Sequence, residues 1–107
     1  MKFIFEVHIK PGSAAEQYAD FWVQASEIIQ RSPGARGTRL HRKIGDPDTL
    51  IAIAEWDSKA ARDASQGRDP RVAEFIRAAA QHCEIRLIGE FEDPEWVVLP
   101  DARNDDG

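Results

Sequence analysis

The sequence contains little sulfur and no long hydrophobic run. Its 107 residues include one cysteine, so no disulfide can form within the chain. No stretch approaches the roughly 18 apolar residues that a membrane-spanning helix requires. The opening residues, MKFIFEVHIKPG, are interrupted by Glu6 and His8 and are not followed by the small-residue cleavage site of a signal peptide. These absences predict a soluble, cytoplasmic protein.

Positive charge is also scarce. The chain has 14 lysines and arginines against 19 aspartates and glutamates, a net charge of -5. Nucleic acids and anionic membranes are bound by basic surfaces, so we expect neither as a partner. The hydrophobic fraction of 42% is ordinary for a globular protein. We predict one domain over residues 1–100 and a flexible acidic tail over residues 101–107.

The first half of the sequence has the periodicity of a strand, a helix and a hairpin. Apolar residues alternate over residues 2–10, which indicates a strand. Ser13 and Glu16 have the spacing of a capping box, so a helix is expected to start there. Residues 36–45 and 49–56 predict two hairpin strands, with a Gly-Asp-Pro-Asp turn between them.

The second half predicts two helices and a last strand. A short helix capped by Asp57 or Ser58 is expected to run to about Ser65. A longer helix is expected to start with Asp69 as its cap and Pro70 at its first position, with an apolar stripe that extends to Cys83. Residues 84–92 indicate a strand in which Ile85, Leu87, Gly89 and Phe91 share one face. The order β-α-β-β-α-β predicts an α+β, ferredoxin-like split βαβ fold with an antiparallel sheet.

Such a sheet has both long helices on one face and leaves the other face bare. We expect Ile4, His8 and His41 on the bare face. A contiguous bare face implies a partner, so the sequence predicts a homodimer that packs sheet on sheet. The short apolar segment at residues 96–99 is expected to reach the neighbouring subunit.

Several side chains are candidates for a site, each with a structural alternative. Trp56, where the third strand ends, is either a core side chain or the wall of a pocket. His41 is the first candidate for a general base, and the alternative is a solvated or dimer-contact histidine. Phe5 and Trp22 are either core residues or the lining of a cavity between helix and sheet.

The sequence offers no recognisable metal site. His82 and Cys83 are adjacent, and adjacent residues of a helix point about 100° apart. No further ligands follow at metal-binding spacing, so we predict no metal and treat Cys83 as a buried thiol.

Four short motifs give the chain a family resemblance: KPG at residues 10–12, SPG at 32–34, EWDSKAA at 55–61 and GRDPRVAEF at 67–75. With these motifs the chain resembles the antibiotic biosynthesis monooxygenases, which are dimeric α/β barrels. The resemblance covers about residues 2–92, and the Asp-Pro-Arg stretch brings it closest to the anthrone oxygenase branch. Members oxidise phenolic or quinol compounds with molecular oxygen, without metal, haem or flavin. The resemblance therefore implies a cofactor-independent oxygenase acting on a small aromatic, polyketide-like molecule.

Individual residues follow the anthrone oxygenase branch only in part. Trp56 matches a tryptophan that lines the pocket of that branch, and His41 matches a histidine of its second strand. Ala52 and Ile53 stand where that branch has asparagine and tyrosine, and Arg62 stands where it has another tyrosine.

The haem-degrading branch is a poorer match. Phe5 and Phe75 replace the asparagine and histidine that are typical of that branch, so haem degradation is not expected. The resemblance implies His41 and Trp56 as catalytic residues. It implies as substrate-binding residues Phe5, Trp22, Ala52, Arg62 and Phe75. A non-oxidative cyclase or isomerase, or a ligand-binding barrel without turnover, is the alternative function.

Overall fold

The computed structural model describes residues 1–101 and has the element order predicted from the sequence. Its strands and helices are β1 Lys2–Ile9, α1 Ala15–Ile29, β2 Ala35–Lys43, β3 Asp46–Trp56, α2 Lys59–Ser65, α3 Pro70–Ala80 and β4 Cys83–Phe91. The strands form one antiparallel sheet in the order β2-β3-β1-β4. This topology confirms the ferredoxin-like fold. The predicted tail falls almost entirely outside the described residues.

The core lies between the sheet and the helices. In β1, Val7 is completely buried, and its cross-strand partner Leu50 is 4% exposed. Both pack in a cluster with Tyr18 of α1 and Ala79 of α3. Residues at alternate positions, such as Glu6 and its partner Ile51, therefore point to the opposite face of the sheet. No helix within residues 1–101 covers that face, and we call it the open face.

Helix α1 begins later than the capping-box pattern predicted. The residue at the N-cap is Ala14, whose N–H donates to the side-chain oxygen of Gln17 at 2.8 Å. Ser13 does not cap the helix, because its hydroxyl lies 3.0 Å from Nδ1 of His82. Glu16 is paired instead with Arg42 of β2, at 2.9 Å. The predicted Ser13–Glu16 capping box is therefore wrong.

Two predicted boundaries also differ from the structure. The turn between β2 and β3 is shorter than expected, because β3 already begins at Asp46 and the chain reverses at Gly45, whose φ is 87°. Helix α3 ends at Ala80, and Cys83 is the first residue of β4. Its thiol still reaches α3, where it donates to the carbonyl of Ala79 at 3.4 Å.

A bulge in β4 changes which residues face the helices. Leu87 pairs with Phe5, but Gly89 pairs with Ile4, so the register shifts between these two pairs. Ile85 and Leu87 share the helix face, whereas Gly89 and Phe91 are on the open face. The predicted common face of these four residues is therefore wrong beyond Leu87.

Candidate functional site

An apolar opening lies on the helix side of the sheet, between α3 and β4. Helix α3 packs chiefly along α1 and touches β4 little. The helix-facing side chains of β4 are therefore uncovered, with Ile85 52% and Leu87 60% exposed. Ile76 of α3 is also 54% exposed. We name this region the helix-face opening; Phe5 is the cross-strand partner of Leu87 within it.

Arg62 is the cationic group at one end of the helix-face opening. It extends from α2 so that its guanidinium carbon lies 3.9 Å from the centroid of the Phe3 ring. Its Nη1 lies 3.2 Å from Oε1 of Glu90, and only 18% of its side chain is exposed. Lys59 holds the other oxygen of Glu90 at 3.1 Å. These contacts fix a positive charge against an aromatic ring.

Phe3, Lys59 and Glu90 were missed as site residues from the sequence. Uninterrupted alternation along β4 would put Glu90 on the open face. The bulge turns it to the helix side, opposite Phe3 in the register. A bulge changes side-chain direction without a strong sequence signal; here the only hint was a glycine, Gly89, inside a strand pattern.

Trp56 occupies the corner between β3 and α2 and is 3% exposed. Its backbone N–H donates to the carbonyl of Met1 at 2.9 Å, and the backbone N–H of the next residue, Asp57, donates to the carbonyl of Gly34 at 2.8 Å. The corner is therefore hydrogen-bonded to the residues that immediately precede β1 and β2. Burial of this degree places Trp56 in the interior on the helix side of the sheet.

The remaining predicted pocket residues are divided between two regions. Phe5 and Phe75 are half-buried, and Ala52 is buried beside Phe5, its partner in the register. Trp22 lies on α1 instead and lines a separate groove towards β2. The structure therefore brings Phe5 and Ala52 together and places Trp22 apart from the helix-face opening.

His41 lies on the open face. Its neighbour Arg42 reaches Glu16 of α1, so His41 points away from the helices, and its register partner is Ile51. Trp56 is on the helix side, so the sheet separates the two predicted catalytic residues. On the open face His8 pairs with Glu6, with 2.5 Å between Nε2 and Oε1.

The groove between α1 and β2 has a volume of about 440 Å³. We call it the α1–β2 groove, and it is lined by Trp22, Val23, Ser26, Glu27, Gln30, Gly37 and Thr38. Within this lining the side-chain oxygen of Gln30 accepts a hydrogen bond from the backbone N–H of Gly37 at 2.8 Å. A volume of this size is within the range of small-ligand sites.

Two core groups that could act as bases are held neutral by burial. Desolvation raises the pKa of the Tyr18 hydroxyl well above its ordinary value, and it also raises the pKa of the Cys83 thiol. Neither group is thus suited to remove a proton near neutral pH. Within residues 1–101, no group of three or more His, Cys, Asp or Glu side chains could hold a metal ion, and no helix is long and apolar enough to cross a membrane.

These features define a class of small α+β proteins with a single antiparallel sheet. Helices pack on one face of the sheet but leave part of it exposed near β4, and the other face carries no helix. A sequence profile of antibiotic biosynthesis monooxygenases matches residues 2–78. This match spans well over half of the chain, so the protein belongs to the antibiotic biosynthesis monooxygenase family. No curated protein sequence gave a significant match.

Solved structures with the same fold include an oxygenase. SnoaB, a cofactor-independent oxygenase from Streptomyces nogalater, has a TM-score of 0.70 and 15% identity, covering 89% of this chain and 96% of its own. A candidate antibiotic biosynthesis monooxygenase from Deinococcus radiodurans has a TM-score of 0.66 and 16% identity, covering 94% and 100%. A conserved Methanosarcina mazei protein has a TM-score of 0.68 and 14% identity, covering 84% and 91%. At these identities the similarity establishes the fold alone.

Proposed function

We propose that the protein is a cytoplasmic, cofactor-independent monooxygenase that acts on a small phenolic or quinol-type aromatic compound. The observation that carries the proposal is the guanidinium of Arg62 held over Phe3 at the end of an apolar opening. Exposed apolar side chains beside a fixed guanidinium, which is paired with Glu90, are suited to an aromatic substrate whose ionised form is negatively charged. Family membership supports the same reaction class.

The proposed reaction needs no electron carrier besides the substrate. A phenolate or stabilised carbanion gives one electron to molecular oxygen, and the resulting radical and superoxide combine to a carbon–oxygen bond. When a ring methylene is oxidised, two C–H bonds break, one oxygen atom becomes the new carbonyl and the other leaves as water. Arg62 favours the anionic form that gives up the first electron, because a nearby positive charge lowers the pKa of a phenol.

The side chains assigned to binding are those of the helix side. Phe5 and Phe75 would contact the aromatic rings of the substrate. Ala52 would leave room beside Phe5, and Trp56 would pack behind the residues that line the site. Trp22 would contribute only if the substrate extended towards α1. His41 remains a candidate base only for a site on the open face, enclosed by a second subunit.

We also propose that the open face is covered by a second copy of the chain. Neighbouring strands place three isoleucines on this face: Ile4, Ile51 and Ile53. Glu6 and Arg86, which are cross-strand partners, lie beside them. Packing two such faces would remove these side chains from water. Light scattering behind a sizing column measures the mass directly; a monomer at micromolar concentration would contradict this part of the proposal.

Oxygen uptake by metal-stripped protein with a panel of anthrones and quinols tests the activity. We expect protein-dependent uptake, and in ¹⁸O₂ one labelled oxygen atom per product molecule. Uptake without label in the product would indicate oxidation without oxygen transfer. No uptake from folded protein with any member of the panel would overturn the proposal.

A non-oxidative cyclase, isomerase or ligand-binding barrel is the second candidate. It is favoured by Ala52, which is 1% exposed and offers only a methyl group where the anthrone oxygenase branch has an amide. A compound that raises the melting temperature of the protein, but causes no oxygen uptake, would favour these functions over the monooxygenase. An unchanged ligand after incubation identifies a binding protein, and a rearranged one identifies an isomerase or cyclase.

A further inference from the structure

The side-chain amide of Gln30 contains a buried donor without a partner. Gln30 is the C-cap residue of α1, and its oxygen accepts the backbone N–H of Gly37 at 2.8 Å. This hydrogen bond fixes the orientation of the amide. The nitrogen, Nε2, is buried and has no hydrogen-bond partner within residues 1–101. A buried donor without a partner is destabilising, so an acceptor that reached Nε2 would gain a hydrogen bond without displacing one to water.

Empty space begins beside this amide. Gln30 and Gly37 both line the α1–β2 groove, whose volume is about 440 Å³. A side-chain carbon placed on Gly37 would meet nothing within 4 Å, so the space next to the residue that holds the amide is open. Helix α1 touches β2 little, and Val23 on the groove is 43% exposed. A molecule can therefore enter the groove from solvent and reach Nε2 with a small displacement of the helix end.

The walls of the groove favour a flat, uncharged molecule. Trp22 and Val23 supply apolar surface, and an aromatic ring packs well against an indole. Glu27 is the only ionisable side chain among the residues that line the groove. A carboxylate with no cation beside it in the lining disfavours an anion, because like charges repel. The groove therefore differs from the helix-face opening, where Arg62 favours an anion.

The polar groups of the groove match a hydrogen-bond acceptor. Thr38 already donates its hydroxyl to the carbonyl of Ile53 at 3.4 Å. Nε2 of Gln30 is the buried donor that remains, and the hydroxyl of Ser26 lies one helical turn before it on the same side of α1. A carbonyl oxygen has two lone pairs and donates nothing, so it is suited to these two donors.

We propose that the α1–β2 groove is a second small-molecule site, which binds a neutral, planar aromatic ketone. The ring of the ligand packs on Trp22, and its carbonyl oxygen accepts a hydrogen bond from Nε2 of Gln30. The site is separate from the helix-face opening and does not depend on the monooxygenase activity. Binding and oxygen uptake can therefore succeed or fail independently of each other.

Two bicyclic probes that differ only in a carbonyl group, 1-indanone and indane, test the site. The ¹⁵N-labelled protein is titrated with each probe, and NMR follows the side-chain amide signals of Gln30 and the indole N–H signal of Trp22. We expect 1-indanone to shift both sets of signals in a saturable way. Indane should bind about tenfold more weakly, because it offers no acceptor to Nε2.

Gln30→Glu removes the donor but keeps an oxygen for the N–H of Gly37. Binding of 1-indanone, followed at the Trp22 signal, should weaken about tenfold in this variant. Gln24→Glu is the matched control, because it makes the same change at an exposed position of α1 outside the groove lining. Its affinity for 1-indanone should equal that of the wild type. If Gln30→Glu fails to fold, Gln30→Met, which has a side chain of similar length and no amide, replaces it.

Three results would overturn the proposal. The first is that 1-indanone causes no saturable shift at Gln30 and Trp22, or shifts only Phe3 and Leu87, which would place it in the helix-face opening. The second is equal affinity for indane, or for 1-indanone in the Gln30 variant, since the amide would then not hold the ligand. The third is equally tight binding of the anion 2-naphthoate in the groove, since the groove would then not select a neutral molecule.

Discussion

Arg62 stands with its guanidinium carbon 3.9 Å from the centre of the Phe3 ring, and on its other side it is bound to Glu90 at 3.2 Å. The ring and the carboxylate come from neighbouring strands, β1 and β4, and the arginine comes from α2. A charge fixed in this way is preorganised, because little reorganisation is needed when an anion forms next to it.

Substitution of Arg62 should shift the pH dependence of turnover. An opposite charge within about 4–6 Å lowers a pKa by about 1–3 units, so Arg62→Gln should move the rise of kcat with pH upward by about that amount. Arg62→Lys keeps the positive charge, so its pH profile should stay close to that of the wild type. Arg77→Gln, on the exposed face of α3, should cause no shift. Oxygen uptake measured from pH 5 to 10 gives the profile. An Arg62→Gln profile that coincides with the wild type would remove Arg62 from the reaction.

Gly34 should be far less replaceable than Gly12, although their φ angles are nearly equal. Both are left-handed, at 87° and 86°. A side-chain carbon on Gly34 would come within 2.6 Å of the Cβ of Ala61, whereas one on Gly12 would meet nothing within 4 Å. The left-handed backbone alone costs about 1–2 kcal/mol, and the clash adds about 1–3 kcal/mol for Gly34→Ala. Urea unfolding of both alanine variants measures the difference in the free energy of unfolding. Equal losses of stability would show that the β3–α2 corner shifts to make room for the added carbon.

Asp69 should make the stability of α3 depend on pH in acid. The carboxylate accepts a hydrogen bond from Arg71 Nη2 at 2.6 Å and caps the backbone N–H of Arg71, which together lower the pKa of Asp69 to about 2. In the unfolded chain an aspartate has a pKa of about 3.9. The stabilisation is therefore complete above about pH 4 and is lost as the pH falls through about 2.

The matched variant for this effect is Asp69→Asn, which keeps a capping oxygen but cannot ionise. Thermal unfolding between pH 5 and pH 2 should show the wild type losing its advantage over Asp69→Asn as the pH falls. Asp20→Asn, on the exposed part of α1, should track the wild type. A constant difference between wild type and Asp69→Asn over this range would mean that the carboxylate charge contributes nothing.

The sequence was sufficient for the fold because periodic burial determines it. Alternation along β1 put Val7 in the core, and the stripe of α1 did the same for Tyr18, as the structure confirms. Asp69 with Pro70 marked the start of α3 correctly. Ser13 failed as a cap because a distant partner, His82, competes for its hydroxyl, and no local pattern reveals such a partner.

The candidate site was harder to predict from the sequence, because it depends on contacts between residues that are far apart along the chain. The Arg62–Phe3 contact joins positions far apart in sequence, and the position of Glu90 depends on a bulge. Trp22 and Phe5 both have the apolar character of pocket residues and pack against the same core, but only the structure shows that Trp22 lines the α1–β2 groove while Phe5 pairs with Leu87.

His41→Ala and Trp56→Phe should separate the two faces of the sheet. Trp56 is 3% exposed on the helix side, so Trp56→Phe should reduce turnover while the fold persists, whereas Trp56→Ala should cost about 3–5 kcal/mol of stability. His41 is exposed on the open face, so His41→Ala should leave turnover per subunit unchanged and should change only the association of subunits. Oxygen uptake and light scattering, measured on the same preparations, report the two effects independently. If His41→Ala abolished uptake without altering the mass, the reaction would have to occur between two open faces, and Arg62 would lie on the wrong side of the sheet to take part.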